Sequence, residues 1–539
     1  MAEVVAAKEP VNVTKTAQQM GEEQREISIS QFFEKNRHLL GYDNKAKALL
    51  TIIREGVDNA LDACEEARIL PDISVKLEEV DKEKFKIVIK DNGPGIVKKQ
   101  IPNIFGKLLY GSKFHRLKQQ RGQQGIGVSG AALYAQLTTG EPLEIVTSTG
   151  DGKLHRYKQK IDVKHNQPVI LEDSAEDTEK WHGVRLTFVA EGVYREGKQS
   201  VLEYLKQVAV ANPYANIAFD SPSGKTEFKR GADHLPKEPK EIQPHLMGVE
   251  VGIMSRMLHD TKARTMATFF TAEFSRIGTL TANEICKKAS IDPKISPRKI
   301  SDQQVVEIVK VVKEMKLIRP PTDCLSPLGE KLIESGLKKE FSPEWVASIS
   351  RPPEVYRGFP FQVEVGIAYG GGITEPRLLR FANRVPLLYQ QGDCAITKGA
   401  TEIDWKRYGI ESDKFPTGPV VVFLHLASVW VPFTSESKEA IANYPVIIKE
   451  IKLGIQECAR KLSLYLSGMR RAQRQAERLA IFERYAPETA KALEELTGTS
   501  AKKIIDQIKK IVTEKGSEIE EEENEGDETG PGEPGGEPE

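Results

Sequence analysis

No two cysteines in this chain stand close enough to act together. The five, Cys64, Cys286, Cys324, Cys394 and Cys458, are scattered and odd in number, with no Cys-x-x-Cys spacing. That pattern indicates neither a disulfide framework nor a zinc site. No stretch approaches the ~18 consecutive apolar residues of a membrane-spanning helix. The opening Met1-Ala2-Glu3-Val4-Val5 lacks a basic n-region and an apolar h-region, so a cytoplasmic chain with no membrane partner is expected. No Gly-Lys-Ser/Thr follows a glycine loop, which excludes a Walker site. No Lys or Arg follows Lys515, whereas eleven Asp and Glu do, leaving 67 acidic against 77 basic residues before it, a net of +10. The body is therefore basic, which permits a nucleic-acid partner but equally suits a surface that only solubilises, and the tail 516–539 is an acidic, Gly/Pro-rich appendage expected to be disordered.

What is present centres on residues 55–63, Glu-Gly-Val-Asp-Asn-Ala-Leu-Asp-Ala. Ile53, Val57, Leu61 and Cys64 recur at helical spacing and form an apolar stripe. Glu55, Asn59 and Asp62, at i, i+4 and i+7, share the opposite face. A carboxylate stacked on an amide oxygen suits a base for water and a ligand for Mg²⁺. Alone, the same pattern would be an ordinary solvated helix face.

Two further stretches change that weighting. A strand pattern over 85–90 runs into Asp91-Asn92-Gly93-Pro94-Gly95. A carboxylate at a strand end can accept from the exocyclic amine of adenine, and glycines admit a flat ring to the backbone; in isolation the motif would be a hairpin turn. The stretch Gly122, Gln123, Gln124, Gly125, Ile126, Gly127, Val128, Ser129, Gly130 precedes a helical pattern. Its backbone N–H groups can face phosphates. The polar loop before it, 113–121, is no strand, which argues against a dinucleotide-binding turn.

In this order and spacing the three stretches resemble the Bergerat-fold (GHKL) ATPases, the superfamily of gyrase, heat-shock chaperones, sensor histidine kinases and mismatch-repair ATPases. Gly183-Val184-Arg185-Leu186-Thr187 matches that superfamily's Gly-x-x-x-Thr strand. The resemblance implies ATP and Mg²⁺ as cofactors. Glu55 becomes the general base, Asn59 the metal ligand, Asp91 the adenine reader, and Gly122 to Ser129 the lid over the triphosphate. Ser112 and Lys113 stand at the lid's hinge against ribose or phosphate, Thr187 lines the site, and Asp62 holds the helix face in place.

Longer marks resemble the B subunits of the archaeal type IIB topoisomerases, topoisomerase VI. They are residues 105–114, 122–130, Arg380-Phe381-Ala382-Asn383-Arg384-Val385-Pro386-Leu387-Leu388-Tyr389 and Trp405-Lys406-Arg407-Tyr408. The implied fold class is α+β: a Bergerat α/β sandwich, a helix–two-turns–helix domain, and a ribosomal-S5-like α/β transducer with a long C-terminal helix. The expected divisions are an arm 1–26, ATPase domain 27–243, helical domain 244–322, transducer 323–484, helical extension 485–515 and tail 516–539. Residues 220–243 read as a linker, and the long helix is expected from about 435 to 484, with Pro445 a candidate break. The resemblance puts Lys438 on the γ-phosphate. It implies double-stranded DNA as substrate and a DNA-cleaving A subunit as partner. Two ATPase chains would close on ATP within an A2B2 heterotetramer that passes one duplex through another and relaxes supercoils. Glu196 interrupts the basic run of Tyr194-Arg195-Glu196-Gly197-Lys198, where that family touches DNA. Trp405 suits a nucleic-acid contact or simple packing beneath a helix. A nucleotide-gated clamp or chaperone without a cleaving partner is the alternative.

Overall fold

The computed structural model describes residues 15–113, 116–122, 125–178, 181–435 and 437–511. Gln123 and Gln124, residues 1–14 and the tail 516–539 lie outside them. The chain forms two compact units: one runs to Trp405 and resumes over Glu411–Cys458, and the other takes Lys406–Ile410 and the chain from Ala459 on.

In the first unit the helix Ile29–Lys35 begins at a capping box, with Ser28 and Gln31 satisfying each other's backbone N–H. The helix Lys45–Glu66 is N-capped by Asn44, whose side chain accepts from the Lys47 N–H. Its stripe of Ile53, Val57, Leu61 and Cys64 is fully buried. Ile53, Val57 and Leu61 each contribute about 1.5–3 kcal/mol. The stripe belongs to the core of a mixed sheet of eight strands: β1 (Asp72–Asp81), β2 (Lys84–Lys90), β3 (Leu143–Thr149), β4 (Lys153–Asp162), β5 (Gln167–Asp177), β6 (His182–Glu191), β7 (Asn216–Ser221) and β8 (Gly224–Phe228). Their order is β5-β4-β3-β6-β2-β1-β7-β8, with β1 and β7 parallel. β2 shows why these residues make a strand: Phe85, Ile87 and Ile89 turn inward while lysines alternate outward. The helices Gly127–Thr139 and Val201–Ala211 add Leu133, Leu205 and Val208 to the same core.

A second sheet holds β9 (Trp345–Ser350), β10 (Glu354–Tyr356), β11 (Phe359–Tyr369), β12 (Arg377–Ala382), β13 (Val385–Pro386) and β14 (Val420–Ser428). β14 is buried at every position, as expected of an apolar strand packed on both faces. The two sheets are not separated by a gap. Val210 and Tyr214, beside the first sheet, share one core with Ile333, Leu337, Phe381 and Phe423. Gly336 makes that approach possible, since a Cβ there would stand 2.1 Å from the Val210 carbonyl oxygen. Between them in sequence, helices Val251–Asp260, Met266–Glu273, Thr279–Lys288 and Asp302–Glu314 close around their own core of Met254, Phe269, Phe270, Ile285 and Ile308.

Three expectations need correction. The 220–243 stretch is not all linker, because it contains β8. The sequence pattern over 384–389 reads as a strand, but the structure keeps only Val385–Pro386, because Asn383 and Arg384 both take left-handed φ, +48° and +68°. The long helix begins at Pro445, not 435, and runs to Thr497; proline suits a first helical turn, where its missing N–H has no intrahelical acceptor to lose. Trp405 is fully buried, donates its indole N–H to the Ala400 carbonyl at 3.0 Å and meets Phe415 edge-on, so it packs rather than reaches for a ligand. Among the described residues no helix is long and apolar enough to cross a membrane.

Candidate functional site

A cavity of about 650 Å³ opens beside the helix Lys45–Glu66, and residues from five stretches of sequence meet in it. Glu55 and Asn59 come from the helix and Asp91 from the end of β2. Ser112, Lys113, Gly122, Gly125, Ile126, Gly127, Val128 and Ser129 come from the lid. Val184 and Leu186 come from β6, and Lys438 from the loop before the long helix. Thr187 is not brought in. Side chains alternate along β6, so with Leu186 lining the cavity Thr187 projects from the other face of the sheet.

Asp91 is 7% exposed and fixed by its own turn. Its Oδ1 accepts from the Gly93 and Val184 N–H groups at 2.8 and 3.1 Å. Gly183 makes room for it: a Cβ there would stand 2.2 Å from the Asp91 carbonyl oxygen, and φ is +133°. Burial pushes the Asp91 carboxyl up to about 6, against the pull of those two donors and of His182. A carboxylate whose charge burial disfavours gains from an incoming amine donor.

The lid closes into the N-terminus of the helix Gly127–Thr139. First-turn N–H groups of a helix have no intrahelical acceptor and carry the positive end of its dipole, the arrangement an anion requires. Leu109 N–H donates to the Gly125 carbonyl at 2.9 Å, pinning the lid from the other side. Gly127 packs directly on Glu55: a Cβ there would fall 2.2 Å from its Oε2.

Both ends of the loop before the lid are tied to Asp62. Lys113 Nζ reaches its Oδ2 at 2.7 Å and Arg121 Nη1 its Oδ1 at 2.9 Å. Burial alone would raise the Asp62 carboxyl, but the two cations overrule it and hold it well below the usual carboxylate range. Asp62 is thus a brace, and Lys113 is engaged in that brace.

Three residues of the helix Lys45–Glu66 escaped the motif reading, Arg54 lining the cavity and Lys47 and Asp58 outside its lining. Arg54 donates to Glu55 Oε1 at 3.1 Å and to the Ser437 carbonyl at 3.1 Å, joining the helix to the Lys438 loop. Lys47, two helical turns earlier, pairs with Glu439 at 2.6 Å. Asp58 receives the Tyr204 hydroxyl at 3.0 Å, and burial followed by Glu55 pushes it up to about 7, with Arg121, Arg54 and Lys438 pulling back. The available signal was spacing: residues 47, 54 and 58 lie at i, i+7 and i+11, a second polar flank on one helix. Lys438 itself sits at φ +53°, and its Nζ donates to the Arg121 carbonyl at 3.2 Å.

The donor set fits a nucleotide with a hard cation. Asn59 is exposed within the cavity, and its amide makes no hydrogen bond to another described residue. Among the described residues no group of three or more His, Cys, Asp or Glu could hold a metal by itself. Mg²⁺ characteristically binds through one or two side-chain oxygens plus substrate phosphates. A wider cleft of about 900 Å³, at Lys45, Arg195 and Arg377, contains none of the nucleotide-motif residues; it takes in Arg195, Glu196 and Lys198 of the basic run, Arg380 and Leu387 to Tyr389 of the later mark, and Lys47. Its charges are largely paired already: Lys45 with Glu83, Arg377 with Glu203, and Lys198 with Glu375.

Comparison with known proteins agrees with this geometry at two places in the chain. Residues 44–164 match the family described as histidine kinase-, DNA gyrase B-, and HSP90-like ATPase, and residues 320–478 match topoisomerase VI B subunit, transducer. The B subunit of type 2 DNA topoisomerase 6 from Methanosarcina barkeri is 46% identical over 88% of this chain and 78% of its own length. Its namesake from Archaeoglobus fulgidus is 48% identical over 83% of this chain and 75% of that one. The one from Pyrococcus horikoshii is 41% identical over 90% and 95%.

Proposed function

The chain belongs to the family formed by the B subunits of type 2 DNA topoisomerase 6, and from that premise we propose that it couples ATP hydrolysis at the Glu55 cavity to DNA strand passage by a complex with a DNA-cleaving subunit. It is the ATPase subunit of a type IIB topoisomerase. The observation that carries the proposed coupling is the joint presence of Glu55 and Lys438 in one cavity, although they belong to the two separately matched segments.

The residues divide the work as follows. Asp91 accepts the adenine amine. The first-turn N–H groups at Gly127 to Ser129 receive phosphate oxygens, and Gly122 and Gly125 let the backbone approach them. Glu55 orients the water that attacks the γ-phosphorus and takes its proton as the bond to the ADP oxygen breaks. Lys438 offsets the charge of the transferred group. A Mg²⁺ held by Asn59 and the phosphates would supply charge neutralisation there.

Two such chains close on one another when ATP is bound, with residues 1–26 as a strap, in an A2B2 complex in the cytoplasm. The tyrosine that cuts DNA belongs to the A subunit. Native mass measurement of the purified complex, with and without a non-hydrolysable ATP analogue, tests this. Two chains of each kind and an analogue-dependent contact between the two ATPase chains are expected. An ATPase chain that purifies alone and never gains a stoichiometric DNA-cleaving partner is a clamp and not part of a topoisomerase.

Asp91→Asn probes the adenine contact. Because the folded carboxyl lies at about 6, above its unfolded value, it adds stability fully below about pH 4, and that contribution is lost as pH rises through about 6. At neutral pH the variant should therefore melt no lower than the parent. Its nucleotide affinity should fall roughly 10- to 150-fold, the equivalent of about 1.5–3 kcal/mol for a hydrogen bond to a charged group. Calorimetric titration with ADP and a thermal melt together decide it, and unchanged affinity removes Asp91 from the site.

A further inference from the structure

Glu65 lies ten residues beyond Glu55 on the same helix, outside the nucleotide cavity. Its carboxylate is shared by two arginines far apart in sequence. Oε1 accepts from Arg121 Nη2 at 2.5 Å and from the Tyr214 hydroxyl at 2.6 Å; Oε2 accepts from Arg384 Nη2 at 2.6 Å. Arg121 immediately precedes Gly122, and its other branch holds Asp62, which holds Lys113 at the far end of the same loop. Arg384 occupies the turn between β12 and β13. Its other branch donates to the Ser326 carbonyl and hydroxyl at 2.9 and 3.1 Å. Its backbone N–H donates to His425 Nε2 at 3.0 Å, and His425 Nδ1 faces the buried Glu364 at 2.7 Å. A continuous polar path thus runs from the lid's base to the centre of the second sheet.

The arginine side chains are 1% and 7% exposed. Burial would raise the Glu65 carboxyl, but Arg121 and then Arg384 overrule it and keep it ionised. Buried ion triads of this kind are poor devices for stability alone, because apolar replacements of similar volume often hold a fold as well. What the triad adds is dependence: the partner available to one arginine is set by the position of the other. The backbone around it is fixed in the same sense. Asn383 Nδ2 donates to the Gln120 carbonyl at 2.9 Å, and Gln119 exchanges hydrogen bonds with the Ser326 backbone at 2.6 and 3.1 Å.

We infer that Glu65 is a positioning residue for the ATP-driven step: through Arg121 and Arg384 it joins the base of the glycine lid to the β12–β13 turn, so that lid closure on nucleotide is passed to the second sheet. The inference rests on the reading of this chain as the ATPase subunit. Energetic coupling between sites of this kind amounts to roughly 5- to 150-fold, and it needs an element that both sites bias.

The test uses complexes reconstituted from the full chain and its DNA-cleaving partner, carrying Glu65→Gln, Arg384→Gln or both. Nucleotide affinity, ATP turnover and relaxation events per ATP hydrolysed are measured. Each single variant should bind nucleotide like the parent and relax DNA at least about fivefold less per ATP. The double variant should be no worse than either single one, since both break one connection. Arg384→Lys keeps a cation within reach of Glu65; it should restore part of the ratio, and it decides the matter should the Gln variants fail to fold. Variants that keep the parent's relaxation per ATP, or whose losses multiply, overturn the inference alone. A parent complex without any ATP-dependent relaxation overturns the reading of function as well. Because the ratio is taken per ATP hydrolysed, an error in assigning Glu55 does not disturb it.

Discussion

Glu55→Ala should cut ATP turnover by roughly 10²- to 10⁴-fold, the usual range for loss of a positioned general base, and leave nucleotide affinity close to that of the parent. The separation follows from what each residue touches. In the proposed division of work, adenine recognition falls to Asp91 and phosphate binding to the lid's N–H groups, and neither depends on the Glu55 carboxylate. Glu55 faces the cavity with Gly127 against its Oε2, close to the helix N-terminus at which a terminal phosphate would sit. One complication is Arg54, whose Nη2 loses its partner in the alanine variant and keeps only the Ser437 carbonyl through Nη1. Glu55→Gln controls for it by retaining an acceptor of the same shape without basicity. Both variants should bind a fluorescent ATP analogue, fail to turn it over, and support no more than a single round of relaxation. Turnover within about tenfold of the parent in either one would give the base role to another group.

The parts of this site that could be read from sequence are those carried by short-range pattern. The stripe of Ile53, Val57, Leu61 and Cys64 is fully buried as its period requires, and Glu55 and Asn59 face the cavity from the other side. Asp91 and the lid glycines meet them there, since a strand ending in a turn and a glycine run opening a helix each have a local signature. Thr187 shows where pattern alone fails: the motif position is right, but strand alternation turns the side chain to the other face. β5 had no legible signal, being exposed at nearly every position, so no alternation marks it. Arg384 was beyond sequence reasoning for a different reason. Its partner Glu65 is 319 residues away, and the left-handed turn that aims it interrupts what reads as a strand. Long-range ion pairs leave no periodicity; Arg54 and Lys47 do share a helical spacing, but nothing local names their partners Ser437 and Glu439.

Lys438→Ala should reduce ATP turnover by roughly 10²- to 10³-fold, the cost of removing one preorganised donor from a developing negative charge, while ADP affinity stays unchanged. The loop is built to present this side chain. Arg54 holds the carbonyl of Ser437 on one side, Lys47 holds Glu439 on the other, and Lys438 stands between them at φ +53°. A non-glycine residue kept in that region costs on the order of 1–3 kcal/mol. Lys438→Gly should therefore melt at or above the parent's temperature and still hydrolyse as poorly as the alanine variant, which separates charge from loop conformation. A pH profile adds a third readout. Lys438 is among the cations that pull Asp58 down from where burial and Glu55 would put it, so its removal should move any pH limb near 7 to higher pH. Loss of ADP affinity equal to the loss of turnover would mean that the loop supports the whole pocket. Preserved ADP binding with lost discrimination between ATP and ADP would mean that Lys438 senses the terminal phosphate, and that the hydrolytic site is complete only when the loop from the second matched segment is in place.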